Sequence, residues 1–186
     1  VLTQDFNLIN SSLKNVSLES RHAQGNITLD NNKFDNVRYY SREGGVDPVS
    51  WNKPYEPSAT LTITNNTYEN NSRIQITEHR FNTITINNNQ FKNNSEGIYV
   101  YAHWALQYGN QYTKKPADVE IKGNTFTKDR KGVDIKAGKF DVAGNNFIES
   151  PGIRYHAVVS THANYQQRQK GIFDYKINNN YFIKQK

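Results

Sequence analysis

The chain has 186 residues, 35% of them hydrophobic, and a mean hydropathy of −0.87, which allows one domain and leaves little apolar material for a broad globular core. Cysteine is absent, which excludes disulfides and thiolate metal sites, and no apolar run approaches the roughly 20 residues needed to span a bilayer. The net charge of +6 and pI near 9.4 point to an anionic partner or to ordinary solubilising charge, but the basic residues form no run of the kind found in a nucleic-acid tail.

In chain order, one phrase recurs seven times, starting at residues 6, 27, 61, 84, 119, 140 and 175. Ile84 to Phe91 shows it clearly: two apolar residues alternate with spacers, polar Asn residues follow, and an aromatic closes the phrase. The alternation predicts a short strand with one buried face, and the Asn residues predict a turn. Position six reads Ser11, Asn32, Asn66, Asn89, Asn124, Asn145 and Asn180, and position eight reads Leu13, Phe34, Tyr68, Phe91, Phe126, Phe147 and Phe182. Successive starts lie 21, 34, 23, 35, 21 and 35 residues apart. The shorter spacings hold a few strands and tight turns but no helix pair, so each phrase opens one coil of a parallel β-solenoid.

The phrase I-x-I-x-N-N-x-F resembles the coils of the right-handed parallel β-helix proteins, the pectate-lyase-like superfamily. The resemblance covers roughly residues 5 to 186. It implies one all-β domain over residues 1–186, with stacked Asn side chains at a turn and stacked aromatics inside. The superfamily contains lyases, hydrolases, epimerases, phage tailspikes and non-catalytic binders, so the fold alone assigns no chemistry. The chain begins at Val1 without a signal peptide and is read as a mature or excised piece of something longer. Asn-x-Ser/Thr triplets at Asn10, Asn15, Asn26, Asn65, Asn70 and Asn93 are read as by-products of Asn-rich turns.

After each aromatic a second alternating segment follows, beginning at Val16, Val37, Ile74, Ile98, Val133 and Ile153. Its first and third residues are expected to face the core and its second and fourth to face solvent. The outward columns then read Ser17, Arg38, Gln75, Tyr99, Asp134, Arg154 and Glu19, Tyr40, Thr77, Tyr101, Lys136, His156. The outward column of the first strand is plainer: Asn7, Thr28, Thr62, Thr85, Glu120, Asp141 and Lys176. Coils two, four and six carry surplus residues after the second segment, near 42–59, 103–117 and 160–171. Stacking puts these insertions on one side, as expected for the wall of a binding face. They carry both tryptophans, Trp51 and Trp104.

These features place a candidate site on the second segment's outward face. Lys136, His156, His103 and Tyr101 are the candidate catalytic residues, and Arg38, Tyr99, Asp134, Arg154, Arg42, His79, Arg80, Trp51 and Trp104 are the candidate substrate-binding residues. A polysaccharide lyase needs a cation to neutralise a uronate and a base to take the acidified proton, which Arg, Lys, His and Tyr here can supply. A hydrolase needs two carboxyl groups across a cleft, for which Glu43, Glu78 and Asp134 are available. Arg21 to Asn26 is similar to the Arg-His-Gly segment of the chondroitinase B and alginate lyase family, with Ala23 where Gly is expected. That resemblance implies a role for Arg21 in catalysis.

No His/Asp/Glu cluster has metal-ligand spacing, and calcium held by oxygens from different coils remains open. The expected function is an extracellular or cell-surface module that binds or cleaves an anionic polysaccharide, with lyase chemistry favoured over hydrolysis. The alternative is a non-catalytic adhesion or tailspike-like segment that binds a surface glycan. Neither a nucleic-acid nor a membrane partner is expected.

Overall fold

The structure, a computed structural model, describes residues 5–21, 25–42, 59–77, 81–101, 117–136, 138–156 and 173–184. The described residues contain no helix, and their strands form three parallel sheets ordered along the chain. The first sheet comprises β1 (Phe6–Ile9), β4 (Ile27–Asp30), β7 (Ala59–Thr64), β10 (Phe81–Asn87), β13 (Asp118–Lys122), β16 (Gly138–Ala143) and β19 (Phe173–Asn178). The second comprises β2 (Ser12–Lys14), β5 (Lys33–Asp35), β8 (Thr67–Glu69), β11 (Gln90–Lys92), β14 (Thr125–Thr127), β17 (Asn146–Ile148) and β20 (Tyr181–Ile183). The third comprises β3 (Ser17–Arg21), β6 (Arg38–Arg42), β9 (Arg73–Thr77), β12 (Ile98–Tyr101), β15 (Val133–Lys136) and β18 (Ile153–His156).

This is a parallel β-helix in which each phrase holds two strands rather than one. The aromatic that closes the phrase is the centre of its own three-residue strand, as in Lys33–Phe34–Asp35, where only Phe34 is buried. A strand with a single inward residue carries no periodicity, so only its stacking on the coils above and below identifies it.

The Asn residues of the phrase divide their work. The first of each pair bends the chain with positive φ, as in Asn31 (52°), Asn65 (57°) and Asn88 (57°), and Gly123 and Gly144 take over at 64°. Asn is the side-chain-bearing residue that enters this region most readily. Asn10, Asn15, Asn65, Asn70 and Asn93 of the Asn-x-Ser/Thr triplets are all such turn residues. The second Asn of the pair points inward and bonds to its copies. The backbone N–H of Asn89 donates to Asn124 Oδ1 at 2.9 Å, and its Nδ2 donates to the same oxygen at 3.0 Å and to the Ile63 carbonyl at 2.9 Å. Its own Oδ1 accepts from Asn66 N at 2.9 Å and Nδ2 at 3.0 Å. The pattern runs from Asn32 to Asn180, and Ser11 joins it by donating its N–H to Asn32 Oδ1 at 2.8 Å.

Behind this ladder the aromatics stack. Ring centroids from Phe34 through Tyr68, Phe91, Phe126 and Phe147 to Phe182 lie 4.8–5.1 Å apart. The stack presses against the entry to the third sheet: a Cβ built on Gly132 would lie 2.5 Å from Phe147 Cε1, so only glycine fits there. Inside this column the hydroxyl of Tyr68 is buried with no hydrogen-bond partner among the described residues, and burial raises its pKa well above the phenol value. Tyr68→Phe keeps the ring and removes a desolvated, unpaired group. It is expected to raise stability by about 1 kcal/mol. Urea unfolding of the two proteins checks this, and a loss of stability would show that the hydroxyl has a partner.

A second, mixed ladder occupies the turn between the second and third sheets. Val37 N–H donates to Ser72 Oγ at 2.8 Å, Asn94 N–H to Asp129 Oδ1 at 2.6 Å, and Asp129 N–H to Ser150 Oγ at 2.9 Å. Ser72, Asn94 and Asp129 are all buried.

Candidate functional site

The third sheet carries the residues singled out as a site. Alternation along β12 buries Ile98 and Val100 and leaves Tyr99 half-exposed on the outer face. Pairing of β12 with β9 sets Tyr99 beside Gln75 and Tyr101 beside Thr77. Pairing with β15 sets Tyr99 beside Asp134 and Tyr101 beside Lys136, and β18 continues these columns with Arg154 and His156. From the third coil onward the expected columns are therefore correct.

The first two coils differ. β6 pairs with β9 as Arg38↔Arg73 and Tyr40↔Gln75, and β3 pairs with β6 as Ser17↔Arg38, Glu19↔Tyr40 and Arg21↔Arg42. The column through Tyr99 is thus Glu19, Tyr40, Gln75, Tyr99, Asp134, Arg154. Arg38, placed in it on the sequence, is exposed but two residues away, at the sheet's entry. The outer column runs Arg21, Arg42, then Thr77 (the pairing Ser41↔Ile76 puts Arg42 next to it), Tyr101, Lys136 and His156. The cause is turn length. Tyr39 follows Phe34 by five positions, Ile74 follows Tyr68 by six, and Ile98 follows Phe91 by seven, yet the three occupy one inward column.

Asp134 is a second correction. It was expected to face solvent, yet only 4% of it is exposed. In register it lies between Tyr99 and Arg154. Tyr99 has its phenol pKa raised, first by burial and then by the negative charges of Asp134 and Glu96 and the neighbouring Tyr40. It therefore keeps its proton at neutral pH and acts as a donor and a ring surface rather than as a base. Glu96, at the turn leading into this sheet, pairs with Arg73 at 3.3 Å and Lys131 at 3.6 Å. The sequence reading placed Tyr40 in the outer column instead of beside Gln75, and it singled out neither Arg73 nor Glu96. Aligning the coils on the buried aromatic and allowing the following turn to vary would have brought Tyr40 into the column.

Of the other candidates, Arg42, Tyr101, Lys136, Arg154 and His156 hold the register positions given above. His79, Arg80, His103, Trp51 and Trp104 lie outside the described residues, as do 43–58, 102–116 and 157–172. These three segments leave the ends of β6, β12 and β18 and return to the first sheet at β7, β13 and β19. In the coils between, the same connection takes only residues 22–26, 78–80 and 137. All three long connections are thus anchored at one corner of the solenoid, on every second coil.

The first sheet's outer face is confirmed in register as Asn7, Thr28, Thr62, Thr85, Glu120, Asp141, Lys176. Three of the charges on this sheet form one cluster. Lys122 Nζ sits 2.6 Å from Glu120 and 2.8 Å from Asp141, and Asn87 donates to Glu120. Hydrogen bonding to Lys122 and Asn87 holds Glu120 below the usual carboxylate range, while Asp141 and Glu120 hold the Lys122 ammonium up. Among the described residues no three His, Asp or Glu side chains form a metal-binding group. Compared with family models, curated proteins and solved structures, the chain matches none.

Proposed function

We propose that this β-helix is an extracellular carbohydrate-active module of the pectate-lyase-like kind, which binds or cleaves an anionic polysaccharide along the outer face of the third sheet. The observation that supports this reading is the register of that face: two adjacent six-rung columns mix tyrosines, charged and polar groups, while on the first sheet Lys122 is paired with Glu120 and Asp141. Rungs about 4.8 Å apart match the rise per sugar in many extended glycans.

Within this reading β-elimination is favoured over hydrolysis, because Lys136 and His156 are direct register partners. The cation of Lys136 neutralises a uronate carboxylate and acidifies the neighbouring C–H. His156 takes that proton, a C=C bond forms, and the bond to the glycosidic oxygen breaks, its electron pair and a solvent proton leaving with the departing sugar. Lys136→Ala and His156→Ala are each expected to lower binding or turnover at least tenfold, about 1.4 kcal/mol, without changing the melting temperature. The measurement is release of unsaturated products from alginate, chondroitin, pectin and bacterial capsules, with a glycan array reporting binding alone. Full activity in both variants on a confirmed substrate would overturn the site.

One observation favours a second reading, a non-catalytic adhesion or tailspike-like segment. The half-buried Tyr99 holds its phenol proton, which suits a binding surface better than an acid–base pair. Binding without product release would select it.

A further inference from the structure

We infer that Tyr40 and Tyr99 are a matched pair of ring platforms that hold alternate sugars of an extended glycan lying along the solenoid axis. The inference rests on the function proposed above and specifies how the chain is gripped.

Both tyrosines stand in the inner column of the third sheet, with Gln75 on the rung between them. Their outward direction follows from their neighbours: Tyr39 and Ser41 are buried on either side of Tyr40, and Ile98 and Val100 on either side of Tyr99. Both are half-exposed. Two rungs separate them by about 9.6 Å, close to the length of one disaccharide in an extended 1,4-linked chain. A tyrosine ring offers an apolar face to the C–H face of a pyranose and keeps a hydroxyl for its rim. Tyr99 is suited to the donor role because its surroundings oppose ionisation.

The rungs from Gln75 to Tyr101 form an uncharged stretch: Gln75 and Tyr99 in the inner column, Thr77 and Tyr101 in the outer. Gln75, half-buried between the two tyrosines, is the polar residue on the rung that separates them. Charge returns at both borders. Arg42 shares the rung of Tyr40 and Glu19 lies one rung before it, while Lys136 and Asp134 lie one rung beyond Tyr99 and Arg154 two. The arrangement fits a glycan whose sugar rings sit on the neutral centre and whose carboxylates or sulfates reach the cations on either side. Arg38 is not part of it, because its register places it at the sheet's entry.

The test uses the whole chain, with alginate, polygalacturonate and chondroitin sulfate as probes and oligosaccharides of two to six sugars from whichever polymer binds. Tyr40→Ala and Tyr99→Ala should each weaken binding of the longer oligosaccharides at least tenfold. Tyr40→Phe and Tyr99→Phe should stay within about threefold, and Thr85→Ala on the first sheet should bind as the parent does. Wild-type affinity should rise sharply from two to three sugars, the length that first covers both rings, and either alanine variant should remove that rise. Circular dichroism and melting temperature confirm that the variants fold. If the polymer binds but both alanine variants keep its affinity, the platform pair is wrong and the polysaccharide reading survives. If none of the probes binds, both fail together.

Discussion

Replacing Asn89 with leucine is expected to cost about 3–5 kcal/mol, a large part of the 5–15 kcal/mol that typically separates folded from unfolded domains. The residue is 1% exposed, and its side chain makes the hydrogen bonds to Ile63, Asn66 and Asn124 described above. Leucine fills the volume but leaves the buried Asn66 N–H unpaired, at about 1–3 kcal/mol, and removes the further bonds to Asn66 Nδ2, Asn124 and the Ile63 carbonyl, at about 1 kcal/mol each. A shape-matched hydrophobic substitution is usually tolerated in a core, so the size of this loss distinguishes a hydrogen-bond ladder from simple packing. Urea unfolding monitored at 218 nm, with the exposed variant Gln90→Ala as control, is the measurement. A change under about 1 kcal/mol would show that the ladder contributes little.

The second large effect concerns pH. Asp129 is 1% exposed, and burial raises its pKa from 3.8 to about 7, with hydrogen bonds to Asn94 and Thr127 offsetting part of the rise. Its Oδ2 is buried with no partner among the described residues, while Oδ1 accepts from the Asn94 N–H. At the equivalent position one coil earlier, Asn94 Nδ2 donates to the Tyr68 carbonyl at 3.0 Å. A proton on Asp129 Oδ2 would give it the same donor capability toward the Phe91 carbonyl.

The sign follows from where the proton is held. Between about pH 4 and pH 7 the folded chain keeps a proton that the unfolded chain has released, so stability falls as pH rises through that window and levels off above it. Three pKa units correspond to at most about 4 kcal/mol. Asp129→Asn supplies the donor permanently. It should melt higher than the parent above pH 7 and show no slope across the window. Asp35 and Glu120, both held below their ordinary range, act in the opposite sense and only at lower pH. A variant that keeps the wild-type slope would overturn the assignment.

The two ladders explain why the fold was legible. A column whose members bond to one another needs the same residue in every coil, so Asn32, Asn66, Asn89, Asn124 and Asn145 repeat visibly in the sequence, as do the rings beside them. The ladder at the next turn is built from Val37, Ser72, Asn94, Asp129 and Ser150, which share a backbone role but no chemistry, and so it left no repeat to find. Its varying length then hid the register of the first two coils. That error moved Arg38 into the candidate column and left Tyr40 out of it, although both sit in an alternating strand whose inward residues were read correctly. Exposure was harder still. Asp134 has the outward register expected of it and is nonetheless buried, which strand alternation alone does not reveal.

The Asn ladder also has a direction. From Asn32 to Asn145 each Asn donates its backbone N–H to the Oδ1 of the next Asn, while its Nδ2 reaches both that oxygen and a carbonyl of the coil before. The solenoid is therefore polar: the terminus at Ser11 is an acceptor end and the one at Asn180 a donor end. The exposed large apolar residues named among the described part, Phe6, Ile9, Val16, Ile177, Tyr181, Phe182 and Ile183, all belong to these two end coils. Such an object behaves as a one-dimensional zipper, in which an inner coil is held from both sides and an outer one from a single side. In such an array a broken link in the middle creates two shorter zippers, each with a new loose end.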